Sequence, residues 1–422
     1  GLLKEADYAS VNFGDDPTSV DYERVFYARR PILEIAVKNF LENQSFQADF
    51  KHFEKSNRLW LDDFAEFMAI KEHFGNQALQ KWDDKKAVAR DPSALEKYRT
   101  MLAEQIQYFK VTQYFFFKQW TELKNYANQK GIQIIGDMPI YVAADSVEVW
   151  TKPELFQLDE ERNPLFVAGV PADQFSATGQ LWGNPLYAWE EHKKQGYAWW
   201  IHRIEESFKI YDVLRIDHFK GFSDYWQVDG KAEVAKDGSW QPGPGYDLFK
   251  AVKEQLGDLP IIAEDLGNID DKARKLLTDC NYPGMKILQF GFEDVSGESL
   301  DSPHYCIPHS IVYTGTHDND VTNGWYNSLT EQQQQYINDY THRHEDESIC
   351  QAMIRQLFAT VSNTAIATMQ DVLDLPASSR MNVPSTIGGN WQWRMQQSDL
   401  TQDKKDFLAK MTTLYQRANQ EK

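Results

Sequence analysis

The sequence predicts an α/β fold built on a parallel (β/α)8 barrel of the TIM type, and two observations support this prediction. Short apolar runs recur after residue 130, each followed by a turn and a helix-like stretch, which is typical of parallel strands covered on both faces. Almost every run ends in a carboxylate or a polar cluster, and functional groups gather at the C-terminal strand ends of such barrels. Acidic groups after so many strands favour the barrel over a doubly wound sheet, whose ligands lie only near its switch point.

The apolar runs give the strand count. The predicted strands are 132–137, 211–217, 259–265, 285–292, 310–318 and 363–371. A closed barrel of this type needs eight strands. Two strands are therefore expected either ahead of Gly1 or within the helical part.

The remaining segments predict how the chain is organised. Amphipathic runs with little Gly or Pro predict large helical insertions, and residues 31–130 are interpreted as a helical insertion subdomain. Residues 138–205 are interpreted as a loop-rich insertion. Since no long linker or repeat divides the chain, residues 1–422 are predicted to form a single catalytic barrel domain.

Composition excludes several classes of protein. The chain is 42% hydrophobic and 25% charged, which is typical of a globular protein, and its net charge of -19 argues against nucleic-acid or anionic-membrane partners. It has three widely spaced cysteines, no apolar run long enough to span a membrane and no signal-like N-terminus, so a cytoplasmic location is expected. Aromatic residues reach 14%. They suit sugar binding, although a well-packed core explains them equally well.

The stretch "YDVLRIDHFKGF" places charges at the end of an apolar strand. Arg215 and Asp217 are two residues apart and so share one face, as either a structural ion pair or an active site. Glycoside chemistry would use Asp217 as nucleophile, kept ionised by Arg215, and Glu264 as acid. Repulsion from Asp217 and Asp318 would raise the pKa of Glu264. Asp318 would stabilise the charged sugar and His317 would donate to it, although any one of these acids alone is more often a solvated loop residue or a helix cap.

Other uses of clustered acids and histidines find little support in the sequence. The histidines do not follow zinc-enzyme spacing such as H-E-x-x-H. The "QPGPGYDLF" segment lacks the ending of a phosphate loop, and no serine nucleophile elbow occurs. We therefore expect neither a metal nor a cofactor.

Several long motifs occur here in one order: "IIGDMPIYVAADSVEVW", "GVPADQFSATGQLWGNPLYAW", "VLRIDHFKGF", "IIAEDLG", "YPGMKILQFGF", "YTGTHDND" and "NVPSTIGGNWQWR". Together they closely resemble the 4-alpha-glucanotransferases (amylomaltase, or disproportionating enzyme) of glycoside hydrolase family 77. The resemblance implies that Asp217 is the nucleophile, Glu264 the general acid/base and Asp318 the transition-state stabiliser. It also implies transfer of α-1,4-glucan segments between α-1,4-glucans and maltooligosaccharides.

The same resemblance implies further sugar-binding residues. Arg215, His317 and Asp137 correspond to residues that line the subsite beside the cleaved bond. Trp182 lies in a loop that borders the glucan groove in the family, and Asp173 belongs to the same segment. The sequence departs from the family pattern in having Ala144 where histidine is common, and in lacking the segment that carries the first two barrel strands.

Two alternative functions stay open at this point. One is an α-amylase-like retaining hydrolase, and the other is a non-catalytic glucan-binding fragment, because the N-terminal segment is absent. Transfer requires that water be kept from the intermediate. The segment from Gly169 to Trp189 is a candidate lid for this purpose, with Phe175, Trp182, Tyr187 and Trp189 as stacking faces; a rigid structural loop is the other interpretation.

Overall fold

The computed structural model describes residues 1–172, 178–267 and 269–418. The chain divides into two compact units. The first comprises Gly1–Ser10 and Arg29–Asn281, and the second comprises Val11–Ala28 and the chain from Tyr282 onward. Within the described ranges, no helix combines the length and the apolar content that crossing a bilayer would require.

Helices and short strands make up most of the described chain. The helices, in chain order, are α1 (Tyr22–Glu42), α2 (Gln47–Ser56), α3 (Arg58–His73), α4 (Lys85–Val88), α5 (Pro92–Met101), α6 (Ala103–Gln129), α7 (Val147–Thr151), α8 (Trp189–Lys194), α9 (Ala198–Ile210), α10 (Tyr246–Leu256), α11 (Asp271–Cys280), α12 (Leu288–Gly291), α13 (Thr322–Ser328), α14 (Glu331–Thr341), α15 (Ile349–Ala359), α16 (Met369–Val372) and α17 (Gln402–Leu414). The strands are β1 (Ile135–Met138), β2 (Phe166–Val170), β3 (Gln180–Pro185), β4 (Val213–Ile216), β5 (Asp224–Asp229), β6 (Ser239–Pro242), β7 (Ile261–Ala263), β8 (Gly284–Ile287), β9 (Ser310–Tyr313) and β10 (Thr364–Ile366).

The segment that precedes β1 is helical, as the amphipathic pattern predicts. Asp91 begins α5 by accepting hydrogen bonds from the two backbone N–H groups that follow Pro92, which lack partners within the helix. Phe40, Phe50 and Tyr114, from α1, α2 and α6, pack edge to face with ring centroids 5.4 and 5.6 Å apart. Whether residues 31–130 are an insertion subdomain stays a prediction.

The first unit contains a parallel sheet of three predicted strands in the order β1-β4-β7. Asp137 on β1 lies opposite Arg215 on β4 in the strand register. Leu214 is fully buried, which explains why β4 is apolar until its charged end. Asp217 follows β4 and Glu264 follows β7 at the carboxyl ends of adjacent strands. The topology therefore brings together acids that lie 47 residues apart in the sequence.

The second unit contains the other three predicted parallel strands, in the order β10-β9-β8. His317 and Asp318 follow β9 at its carboxyl end. The predicted strand 285–292 is too long, because β8 ends at Ile287 and Leu288–Gly291 form the helical turn α12. Both segments are buried, and a short buried apolar run does not distinguish a strand from a helical turn.

An antiparallel sheet in the order β3-β2-β5-β6 accompanies the parallel sheet of the first unit. Two of its strands lie within residues 138–205, the segment that the sequence predicts to be loop-rich. The sequence pattern does not predict these strands, because "QLWGNP" in β3 carries Gly, Asn and Pro, which are typical of turns. In the structure, β3 pairs with β2, and the register of this pair shifts between Val167 and Gly169, an irregularity that allows these residue types within a strand.

Candidate active site

Arg215 links two of the predicted site carboxylates. Its Nη1 lies 2.6 Å from both carboxylate oxygens of Asp137, and its Nη2 lies 3.0 Å from Oδ1 of Asp217. Burial alone would lower the pKa of Arg215, but the negative charges of Asp137 and Asp217 raise it above its usual value. The predicted pairing of Arg215 with Asp217 is confirmed, and Asp137 is a second partner of the same guanidinium.

Glu264 is held by the backbone on both sides of its carboxyl group. Its Oε2 accepts a hydrogen bond from the N–H of His218, and its Oε1 accepts one from the N–H of Leu266, both at 2.8 Å. Burial, the largest cause, and the charge of Asp217 together raise the pKa of Glu264 to about 7, against the opposing effects of Arg215 and the two amides. The prediction that the pKa of Glu264 is raised is correct. The sequence pattern predicts like-charge repulsion as the cause of the rise, whereas burial is the larger cause.

Replacing Glu264 with Gln tests this burial through the pH dependence of stability. Between the usual pKa of 4.5 and the folded value of about 7, the folded chain keeps a proton that the unfolded chain has released. The wild type therefore loses stability as the pH rises through this window, and E264Q does not. We expect similar stabilities at the lower end of the window and a gain of up to about 3 kcal/mol for E264Q above pH ~7. Denaturant unfolding of both proteins measures this gain, and parallel pH dependences would contradict the assignment.

His218 is a site residue that the sequence pattern does not predict. Its backbone is left-handed, with φ of 50°, a conformation that directs its N–H to Glu264 while Asp217 lies immediately before it. Burial lowers the pKa of His218 to about 4, so the ring is neutral near neutral pH. The ring of Trp182 meets it edge-on, with centroids 4.8 Å apart. This contact places Trp182 beside the carboxylate pair.

The proposed lid segment is only partly described, and part of it has a structural role. Asp173 and Phe175 lie outside the described residues. Tyr187 is only 1% exposed, and its hydroxyl donates to the carbonyl of Ile140 at 2.7 Å. Tyr187 is therefore a core residue, and the prediction that it offers a stacking face to a sugar is wrong. Trp182 is half-buried and keeps part of its ring accessible.

In the second unit, the side chain of Asp318 is fixed by a network that the sequence pattern does not identify. Asn382 Nδ2 donates to Asp318 Oδ1 at 2.6 Å, and Arg380 Nη2 donates to the Asp318 carbonyl at 2.7 Å. His317 Nε2 lies 3.4 Å from Asp318 Oδ2, and the His317 ring lies 5.1 Å from that of Trp391. Asn382 and Trp391 both lie in the "NVPSTIGGNWQWR" motif, so this motif is the sequence feature from which they could have been predicted as site residues.

A cation could be held at one place among the described residues. His202, Glu205 and Glu206 on α9 bring ligand atoms within 4.8 Å of one another. This group includes none of the predicted catalytic residues. The predicted catalytic groups are carboxylates, and a guanidinium and backbone amides hold them in place.

Comparisons with known proteins identify the family. A family model described as 4-alpha-glucanotransferase (glycoside hydrolase family 77) matches residues 1–401. The 4-alpha-glucanotransferase of Streptococcus pneumoniae serotype 4 is 52% identical over 421 residues, which cover 100% of this chain and 83% of that protein. The 4-alpha-glucanotransferase of Thermus thermophilus is 41% identical over 392 residues, which cover 90% of this chain and 78% of that protein.

Solved structures agree with this match. An amylomaltase from Streptococcus agalactiae, in complex with acarbose, has a TM-score of 0.98 at 57% identity and covers 99% of this chain and 84% of that one. An amylomaltase from Corynebacterium glutamicum has a TM-score of 0.70 at 16% identity over 93% of this chain and 60% of that one, a likeness of fold alone.

The fold and the paired carboxylates define a carbohydrate-active enzyme of the TIM-barrel-like α/β class, which confirms the predicted fold class. The chain belongs to the 4-alpha-glucanotransferase family, glycoside hydrolase family 77. The resemblance inferred from the ordered motifs is thereby confirmed, as is the prediction that the chain is a glycosyl-transferring enzyme.

Proposed function

We propose that the chain moves a segment of an α-1,4-glucan to the 4-hydroxyl of an acceptor glucose or glucan by retaining double displacement. Family membership supports the reaction, and acarbose, a maltooligosaccharide analogue bound by a solved relative, supports glucans as substrates. One observation carries the mechanism: two neighbouring carboxyl groups have opposite environments. Asp217 is paired with Arg215 at 3.0 Å, whereas the pKa of Glu264 is raised to about 7.

In the first step, a carboxylate oxygen of Asp217 attacks the anomeric carbon of the donor sugar. The bond from that carbon to the 4-oxygen of the next sugar breaks, and the proton of Glu264 passes to the departing oxygen. The released piece leaves with a free 4-hydroxyl, and the other piece is held as an ester on Asp217. Arg215 favours this step because its guanidinium, 3.0 Å from Asp217 Oδ1, holds the attacking carboxylate in place.

In the second step, Glu264 acts as a base. Its carboxylate accepts the proton of the acceptor's 4-hydroxyl as that oxygen attacks the anomeric carbon and the ester bond to Asp217 breaks. Glu264 ends the cycle protonated and Asp217 ends it ionised. A pKa near 7 suits a group that must give and take a proton within one cycle.

The other predicted residues receive supporting roles. We propose that Asp318 stabilises the positively charged transition state, with Asn382 fixing its orientation. Asp137 and His317 would bind sugar hydroxyls, and Trp182 would offer a ring face to the glucan. Asp173 is retained as a predicted binding residue from its segment alone, and we likewise propose that residues 138–205 border the glucan groove.

Incubation with maltotriose distinguishes the proposed transferase from the α-amylase-like hydrolase. Transfer produces glucose together with longer maltooligosaccharides while the total number of reducing ends stays constant. Hydrolysis raises that number by one for every bond cut. We expect redistribution at constant reducing ends, and a steady rise in reducing ends without longer products would overturn the proposal in favour of the hydrolase.

A further inference from the structure

A small pocket lies in the first unit, among helices α3, α7 and α9. Its volume is about 150 Å³, and none of its lining residues is among the predicted site residues. Pockets for larger ligands are typically about 300–1,000 Å³, so this one has room for a single small ring.

The walls of this pocket include two flat aromatic rings. Trp60 from α3 and Trp199 from α9 line it, and both are half-buried, so part of each ring stays accessible. Trp199 is backed by the guanidinium of Arg203 at 5.3 Å, which in turn donates to the carbonyls of Pro139 and Ile140. The wall is therefore rigid before any ligand arrives, which lowers the entropic cost of binding.

The lining of the pocket also includes polar side chains that make no hydrogen bond within the described part of the protein. Among the described residues, the side chains of Glu148 and Lys152 make no hydrogen bond or ion pair, although both line the pocket. His202 Nε2 is buried without a partner. Its Nδ1 lies 3.8 Å from carboxylate oxygens of both Glu205 and Glu206.

We propose that this pocket is a second, non-catalytic site that binds one glucose unit of an α-glucan. Aromatic faces beside carboxylate, ammonium and imidazole groups match the apolar faces and hydroxyl edges of a hexose. The lining carries both signs of charge, with Asp63 and Glu148 on one side of the balance and Lys152 and Arg203 on the other, which suits a neutral ligand better than a small ion. The choice of an α-glucan rests on the proposed function, whereas the presence of the site rests on the pocket alone.

Retardation in native gels that contain glycogen tests this inference on the whole chain. The variants are Trp60→Ala, which removes one ring, and Glu148→Gln, which removes one acceptor and leaves the packing intact. Tyr126→Ala is the matched control, because Tyr126 is an aromatic residue of the same unit, 61% exposed and outside the pocket. We expect glycogen affinity to fall about five- to tenfold for Trp60→Ala, with a smaller fall for Glu148→Gln.

Rates on maltotriose separate this inference from the proposed function. If the pocket binds glucan, both variants are retarded less than wild type while their maltotriose transfer rates match wild type, and Tyr126→Ala changes neither quantity. If Glu148→Gln and a folded Trp60→Ala are retarded like wild type, the second site is refuted and the transferase function is unaffected. If wild type itself fails to transfer maltotriose, the proposed function is refuted while loss of retardation in the variants still supports the site.

Discussion

Replacing Asp217 with Asn is expected to abolish glucan transfer and leave the fold intact. The amide cannot form the glycosyl ester, so maltotriose redistribution should fall by more than about 10⁴-fold, the scale seen when a covalent nucleophile is removed. Arg215 keeps Asp137 as a partner at 2.6 Å, so no buried charge is left unpaired. The pKa of Glu264 should also fall in this variant, since the charge of Asp217 helps to raise it.

Asp229→Asn is the matched control for this substitution. Asp229 is an exposed aspartate at the end of β5, and the same change of one oxygen to an amide there should leave the transfer rate unaltered. Circular dichroism spectra that match wild type would show that both variants are folded. Redistribution of maltotriose by D217N at the wild-type rate would contradict the assignment of the nucleophile.

Replacing Glu264 with Gln is expected to lower the rate of transfer from ordinary glucans by about 10²- to 10⁴-fold. The amide cannot protonate the departing 4-oxygen. Donors whose leaving group needs no proton, such as a maltosyl fluoride, should therefore restore the first step. We expect wild-type activity to fall as the pH rises through about 7, because Glu264 then loses its proton. The first step of E264Q with an activated donor should not show this fall.

Glu96→Gln provides the control, because Glu96 is an exposed glutamate on α5 outside the site. It should transfer normally with the wild-type pH profile. If activated donors fail to rescue the first step of E264Q while Glu96→Gln is normal, Glu264 is not the acid.

The sequence predicts the charged strand ends well because strand periodicity is a local property. The two-residue spacing of Arg215 and Asp217 is enough to predict one shared face, and the structure contains the ion pair. Six apolar runs likewise predict the six parallel strands, but the runs 285–292 and 363–371 extend past β8 and β10 into the helical turns α12 and α16. A strand and a short helical turn of similar composition are not distinguished by sequence.

The sequence carries no equivalent signal for the groups that hold the acids in place. Glu264 is bound by the backbone N–H groups of His218 and Leu266, and every residue type except proline carries such a donor. Asn382 lies 64 residues from Asp318, so its contact depends on tertiary folding. The dominance of burial in raising the pKa of Glu264 is also a tertiary effect, whereas the contribution of Asp217 could be anticipated from strand order.

Trapping the intermediate tests the central claim most directly. E264Q should react with a maltosyl fluoride but release the sugar slowly, because no base activates the acceptor in the second step. Mass spectrometry of the digested protein is predicted to find one added maltosyl group on the peptide that contains Asp217, and none in the double variant that also carries Asp217→Asn. A maltosyl group on any other residue, or an unmodified protein that has nevertheless consumed the donor, would contradict the account.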